Sequence, residues 1–83
     1  MRLIIDKTNS KLRNSKEDII LNVPFDMCTL SFSDNGSLFL SVMGEKEKIQ
    51  LYSYIDKNMA MKEYESIMQA YEQEEPSYTI KLK

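Results

Sequence analysis

The segment Cys28–Val42, with the sequence CTLSFSDNGSLFLSV, constrains the fold of this chain more than any other segment. Two runs rich in β-forming residues flank Asn35 and Gly36, a dipeptide typical of hairpin turns. The apolar residues of both runs all carry even numbers: Cys28, Leu30, Phe32, Leu38, Leu40 and Val42. Because side chains alternate between the two faces of a strand, both runs are expected to bury their even-numbered face.

This shared parity also predicts the length of the hairpin loop. Residues that stand opposite each other in a hairpin lie on the same face, which requires pairs such as Phe32 with Leu38. A two-residue loop at Asn35 and Gly36 would place the two apolar sets on opposite faces. The sequence therefore predicts a three-residue loop from Asp34 to Gly36, with Gly36 in the left-handed conformation of a bulged type I turn.

Alternation, helical spacing and turn residues predict the other elements. The predicted strands are Arg2–Ile5, Ile19–Val23, Ile49–Ile55 and Ser77–Lys83, and the helix begins at Lys57 after an N-cap at Asp56 and ends before Pro76. This order, β-β-β-β-β-α-β, predicts a single α+β domain over residues 1–83. We expect a twisted antiparallel sheet of about five to six strands with one helix packed on one face. The last strand is expected at an edge, because its lysines discourage edge pairing.

The predicted helix carries an apolar stripe with the spacing of a face that covers a sheet. Its members are Ala60, Tyr64, Ile67, Met68 and Tyr71, and Met61 widens it. Glu63 and most other charged residues of the helix are expected on the solvent side. The stripe is therefore interpreted as core rather than as a binding surface.

Composition indicates a folded chain in a reducing compartment. Hydrophobic residues make up 42% of the sequence and charged residues 29%, which argues against disorder. The lone Cys28 cannot form an intramolecular disulfide, which favours a cytoplasmic location. No apolar run approaches the roughly 18–20 residues of a membrane span, so no membrane partner is expected.

The residue types needed for most catalytic sites are scarce. The chain contains no histidine, so it lacks the usual general base near neutral pH and the commonest metal ligand. Its two glycines, Gly36 and Gly44, lie in predicted turns and form no phosphate-binding loop. Cys28 is expected on the core face as a small buried hydrophobe rather than a nucleophile. We therefore expect no enzymatic activity, no cofactor and no metal.

The net charge of −2 conceals segments of opposite charge. Residues 1–16 carry five Lys or Arg against one Asp, whereas residues 56–75 carry six acidic residues against two Lys. The basic segment has no aromatic residue for base stacking, so direct nucleic-acid binding is not expected. Its Arg13 and Lys16 are candidates for binding a small anionic ligand, together with a stacking tyrosine.

Three acidic residues follow the predicted helix, where the macrodipole disfavours negative charge. These are Glu72, Glu74 and Glu75. They are interpreted either as a solvated turn or as a patch that docks on a basic protein surface.

A second candidate surface lies on the side of the sheet that the helix does not cover. Parity places Ile20, Phe39, Tyr52 and Tyr54 on this outer face. An exposed face with so many aromatic and aliphatic side chains is unusual for a monomer and typical of an interface. We therefore predict partner binding through these four residues.

The C-terminal part of the chain resembles a class of small accessory proteins of Gram-positive phages and mobile elements. The likeness covers about residues 49–83 and is carried by Leu51, Tyr54, Asp56, Ala60, Ile67, Ala70 and Tyr71. The chain departs from the pattern at Tyr64, where an aliphatic residue is usual, and at Met59, where a basic residue is common. The resemblance implies a phage context, since some members lie among genes that blunt bacterial immunity, and it implies no single activity.

The leading hypothesis is a non-enzymatic phage accessory protein that binds a host protein stoichiometrically. The expected target is a nuclease of a bacterial defence system or its regulator, as for an anti-CRISPR protein, in the cytoplasm of the host. One alternative is a small-ligand or nucleotide-signal sponge that uses Arg13 and Lys16. Another is a structural protein that self-associates, for example as a homodimer.

Overall fold

The structure is a computed structural model that describes residues 1–9 and 20–82. Its strands are β1 (Arg2–Asp6), β2 (Ile20–Pro24), β3 (Cys28–Phe32), β4 (Leu38–Val42), β5 (Ile49–Tyr52) and β6 (Ser77–Lys81), and its helix α1 is Lys57–Glu72. Short 3-10 turns, Phe25–Met27 and Tyr54–Asp56, precede β3 and α1. The predicted α+β class and the predicted order of elements are confirmed.

The strands form two three-stranded sheets, so the predicted single sheet of five to six strands is wrong. The first sheet has the order β2-β1-β6, in which β1 is antiparallel to β2 and parallel to β6. The second sheet, β3-β4-β5, is an antiparallel meander. The first sheet is therefore mixed rather than antiparallel.

The chain changes sheets at two places, and each has a local cause. At the end of β2, the Phe25 N–H makes a last hydrogen bond to the Met1 carbonyl at 2.9 Å, and the 3-10 turn Phe25–Met27 then leads into β3. After β5, α1 carries the chain from the second sheet back to the first. There β6 joins β1 as the edge strand, as predicted for this element.

The hairpin of β3 and β4 has the predicted register and loop. Phe32 pairs with Leu38, and Leu30 pairs with Leu40. The Gly36 N–H donates to the Ser33 carbonyl at 2.9 Å and the Ser33 N–H donates to the Ser37 carbonyl at 2.9 Å, which closes a three-residue loop. Gly36 has a φ of +93°, the left-handed conformation that the bulged turn requires.

One hydrophobic cluster joins both sheets and the helix. Its buried members are Leu3, Ile5, Leu38, Leu40, Leu51, Ala60, Ile67, Ile80 and Leu82. From α1, Ala60, Ile67 and Ala70 are buried, whereas Met61 is exposed. The helix therefore faces the sheets with a narrower stripe than predicted, and the expectation that Met61 widens it is wrong.

Two aromatic residues of the predicted stripe lie at its margins. Tyr64 is half-buried, with its ring centroid 5.4 Å from that of Phe32 in an edge-on arrangement. Tyr71 is exposed, although its ring centroid is 5.1 Å from that of Phe25. Both tyrosines thus pack against phenylalanines at the rim of the core rather than within it.

The C-terminus of α1 ends in a Schellman motif that contains a strained residue. The Glu74 N–H donates to the Tyr71 carbonyl at 3.1 Å and the Glu75 N–H donates to the Ala70 carbonyl at 3.0 Å. Among the described residues other than glycine, Glu74 alone has a positive φ, +58°. This position usually holds glycine, because a Cβ atom is disfavoured in the left-handed conformation.

We expect Gly36→Ala to lower the free energy of unfolding by roughly 1–2 kcal/mol, because alanine is strained at this φ. The added Cβ would also lie 3.1 Å from the Cβ of Lys57, at the start of α1. Gly44→Ala is the matched control, since Gly44 has a φ of +90° but no atom within 4 Å of an added Cβ. Urea denaturation should show a larger loss for Gly36→Ala. Equal losses would contradict a role for the contact with Lys57.

We expect Glu74→Gly to stabilise the protein by about 0.5–1 kcal/mol, because glycine removes the left-handed strain and the change deletes a negative charge at a helix C-terminus. Glu75→Gly is the control, since it deletes the same charge at a residue without positive φ. Thermal and urea denaturation should show a larger gain for Glu74→Gly than for Glu75→Gly. A gain no larger than that of Glu75→Gly would contradict the assignment of strain to Glu74.

Candidate functional site

Three polar side chains from three different elements meet beneath the helix. The Tyr52 hydroxyl, from β5, donates to Oε1 of Glu63 on α1 at 3.2 Å. The Tyr78 hydroxyl, from β6, donates to Oε2 of the same carboxylate. We call these residues the Tyr52–Glu63–Tyr78 cluster. It connects α1 to both sheets, because β5 belongs to the second sheet and β6 to the first.

A β-bulge in β5 places Tyr52 in this cluster. Leu40 pairs with Ile49 and Phe39 with Gln50, but Leu38 pairs with Tyr52, so one extra residue lies between the last two pairs. The bulge turns Tyr52 to the face of Leu38, which is buried. The prediction that Tyr52 lies on the outer face of the sheet is therefore wrong.

Glu63 occupies the middle of the buried side of α1. The spacing from Ala60 to Glu63 to Ile67 to Ala70 is three, four and three residues, which is one face of a helix. Glu63 is half-buried there, with both carboxylate oxygens accepting hydrogen bonds. The expectation that Glu63 lies on the solvent side is wrong. The helical spacing of Glu63 from Ala60 and Ile67 is the sequence signal that places it on the buried face.

Both tyrosines of the cluster are held in the neutral form. Burial, the charge of Glu63 and the hydrogen bond to Glu63, with a smaller effect of Asp56, raise the pKa of Tyr52 from 10.0 to about 12. Burial, followed by the hydrogen bond to Glu63 and its charge, raises the pKa of Tyr78 from 10.0 to about 12. A phenol with such a pKa stays a hydrogen-bond donor at neutral pH. The two hydrogen bonds attach α1 to a strand of each sheet.

A shallow hollow lies beside this cluster, on the surface of α1. Its volume is about 210 Å³, and it is lined by Tyr52, Met59, Lys62, Glu63 and Ser66. Pockets for drug-sized ligands usually measure ~300–1,000 Å³. The hollow therefore has room for one inserted side chain rather than for a larger ligand. Its lining offers an aromatic ring, a thioether and both signs of charge.

Three exposed apolar side chains lie just before α1 and in its first turn. The exposed fractions are 57% for Tyr54, 76% for Ile55 and 47% for Met59. Met59 also lines the hollow, so it links the exposed residues to the concave surface. We call Tyr54, Ile55 and Met59 the helix-start surface.

A second hollow, of about 270 Å³, lies at the other end of α1. It is lined by Met1, Asp26, Tyr71, Glu74 and Glu75, and we call it the acidic hollow. Glu74 and Glu75, two of the three predicted acidic residues, thus line the same hollow as Asp26, which is far from them in the sequence. Glu72, the remaining residue of the predicted acidic group, is exposed at the end of the helix.

The structure does not bring the four predicted sheet-face residues together. Ile20 is exposed on β2 in the first sheet, whereas Phe39 is half-buried on β4 in the second sheet. Tyr54 is exposed in the 3-10 turn before α1 rather than on a strand. The four residues therefore do not share one outer sheet face, and this prediction is wrong.

The candidate ligand-binding residues Arg13 and Lys16 lie outside the described residues. Within residues 1–9 and 20–82, no cluster of three or more His, Cys, Asp or Glu side chains is arranged to hold a metal ion. Cys28 is half-buried, its thiol donates to the Pro24 carbonyl at 3.4 Å, and burial raises the pKa of this thiol.

Comparison with known proteins gives no assignment. No family model, no curated protein and no solved structure matches the chain significantly. No helix in the described part of the chain is both long enough and apolar enough to cross a membrane.

We expect the protein to lose stability as the pH rises from about 10 to about 12. The pKa values of Tyr52 and Tyr78 are near 12 in the folded protein and near 10 once these side chains are exposed. Across this window the unfolded state releases protons that the folded state keeps, which favours unfolding.

Tyr78→Phe removes one of the two groups and should make the decline in stability shallower, as measured by urea denaturation at a series of pH values. Tyr54→Phe, at an exposed tyrosine, is the control for loss of a phenol. A Tyr78→Phe profile as steep as that of the wild type would contradict the role of the cluster.

Proposed function

We propose that this chain is a non-enzymatic protein that acts by stoichiometric binding of a partner protein through the helix-start surface. The observation that carries the proposal is the exposure of Tyr54, Ile55 and Met59 around the start of α1, where Met59 also lines a hollow of side-chain size. Aromatic and methionine side chains are enriched in the centres of protein interfaces. A pocket next to them provides a place for an anchoring side chain of the partner.

The local structure favours binding over a purely structural role for these residues. Among the described residues, Tyr54 and Ile55 are not members of the hydrophobic cluster, so they do not contribute to the core that this part of the chain forms. The backbone around them is held, because the Asp56 N–H donates to the Ser53 carbonyl at 3.0 Å and α1 begins at the next residue. A fixed apolar surface loses little conformational entropy when it binds a partner.

Electrostatics supports a partner with a basic surface. The acidic hollow adds Asp26, Glu74 and Glu75 at one end of the helix, and Glu72 is exposed nearby. Complementary charge increases the rate of encounter and selects against acidic partners. Nucleases carry basic surfaces for their substrates, so they fit this requirement.

The resemblance of residues 49–83 to phage accessory proteins supports a target within the bacterial host. We therefore propose a host defence nuclease or its regulator as the target, and inhibition of bacterial immunity as the biological role. The basic residues Arg13 and Lys16 remain candidates for the alternative of a nucleotide sponge.

The test compares capture of host proteins by the purified wild type and by Tyr54→Ser/Ile55→Ser. Both residues are exposed, so we expect the free energy of unfolding to change by less than about 0.5 kcal/mol. The double variant should lose a partner that the wild type binds in a fixed stoichiometry, as measured by native mass spectrometry.

The matched control is Met27→Ser/Met43→Ser, which changes two exposed apolar residues elsewhere on the molecule. This control should retain the partner. Charge reversal of Glu72 and Glu74 to Lys should weaken binding and reduce its dependence on salt. Undiminished binding by Tyr54→Ser/Ile55→Ser would refute the helix-start surface as the binding site.

A further inference from the structure

Strand β6 has one free edge in the described part of the chain. The order of the first sheet is β2-β1-β6, so β6 pairs with β1 on one side only. Along β6, exposed and covered residues alternate: Ser77, Thr79 and Lys81 are exposed, whereas Tyr78 and Ile80 are covered.

The backbone groups of the exposed residues point toward this free edge. At the two ends of β6, the Arg2 N–H donates to the Pro76 carbonyl at 3.0 Å and the Leu82 N–H donates to the Asp6 carbonyl at 2.9 Å. The pairing with β1 therefore uses the even-numbered residues of this segment. Because hydrogen-bonding directions alternate along a strand, the N–H and C=O groups of Ser77, Thr79 and Lys81 face away from β1.

We propose that a second copy of this chain pairs with this edge, with the two β6 strands antiparallel and a two-fold axis at Thr79. Thr79 then stands opposite Thr79 of the second copy, and Ser77 stands opposite Lys81. This register uses every outward-facing residue of the strand and forms about six hydrogen bonds between the copies. The β2-β1-β6 sheet of one copy and that of the second copy then join into one continuous six-stranded sheet across the axis.

Charge complementarity identifies a second copy as the occupant. A lysine on an edge strand normally opposes pairing, because two like strands bring lysines together. In the proposed register Lys81 instead faces Ser77 and lies diagonal to Glu75, which is exposed just before Pro76. Diagonal neighbours are within reach of long side chains. The two-fold axis repeats this contact, so each dimer contains two Lys81–Glu75 pairs.

The dimer extends the proposed function without depending on it. The β6 edge contains none of the residues of the helix-start surface, so each copy keeps its own binding site. Two sites in one particle increase the apparent affinity for a partner that is itself dimeric.

The first test is the mass of the protein over a range of concentrations, measured by sedimentation equilibrium. We expect a concentration-dependent dimer. Thr79→Pro should raise the dimer dissociation constant at least about tenfold, because proline removes two symmetry-related N–H donors at the axis. Thr79→Val retains the N–H and should dimerise like the wild type. Circular dichroism should show that Thr79→Pro keeps the fold, since the pairing with β1 does not use this N–H.

A charge exchange tests the register by a route that does not require proline. Lys81→Glu alone and Glu75→Lys alone each place like charges together and should weaken the dimer. An equal mixture of the two variants should form a heterodimer in which both opposite-charge pairs are restored.

Failure of the mixture to associate would overturn the proposed register. A wild type that is monomeric at every concentration, or a dimer that Thr79→Pro leaves unchanged, would overturn the proposal itself.

Discussion

The contact of α1 with both sheets is the interaction on which this fold depends. Each sheet has three strands of only four or five residues, and sheets of this size need a packing partner to be stable in water. The helix supplies that partner through Ala60, Ile67 and Ala70, whose small and medium side chains let the helix backbone lie close to the strands. One stripe of a single helix therefore closes the core of the whole molecule.

Glu63 shows why a carboxylate is tolerated within that stripe. A half-buried carboxylate without hydrogen bonds would destabilise the fold, but here Tyr52 and Tyr78 donate to its two oxygens from opposite sheets. Apolar side chains at these positions could pack in several ways, whereas the two hydrogen bonds fix the rotation of α1 relative to both sheets. The cluster thus contributes specificity of packing as well as stability.

The alternation of apolar residues and the turn residues predicted correctly those parts of the fold whose main contacts join residues close in sequence. The parity of Phe32 and Leu38 and the conformation of Gly36 determine the hairpin between them, and both predictions are confirmed. The same parity argument failed for Tyr52, because a β-bulge shifts the alternation by one residue and leaves no clear signal in the sequence.

The division into two sheets could not be predicted, because it depends on the parallel pairing of β1 with β6, at opposite ends of the described chain. Side-chain alternation shows which face of a strand is buried but not which strand lies beside it. Tyr54 is exposed, as predicted, but it lies in a 3-10 turn and not on a strand. The prediction extended β5 to Ile55, because the alternation of Leu51, Tyr52, Ser53 and Tyr54 gives no signal of this turn, whereas the start of the helix at Lys57 was predicted correctly.

The close approach of Gly36 to Lys57 links the hairpin loop to the start of α1. Asn35 fixes this loop from within, since its side-chain oxygen accepts hydrogen bonds from the Ser37 N–H at 3.1 Å and the Ser37 hydroxyl at 2.9 Å. The loop thus packs against the first residue of α1, which directly follows the turn that carries Tyr54 and Ile55. If the proposed helix-start surface binds a partner, substitutions within residues 34–37 are expected to change the affinity by changing how firmly the start of α1 is held.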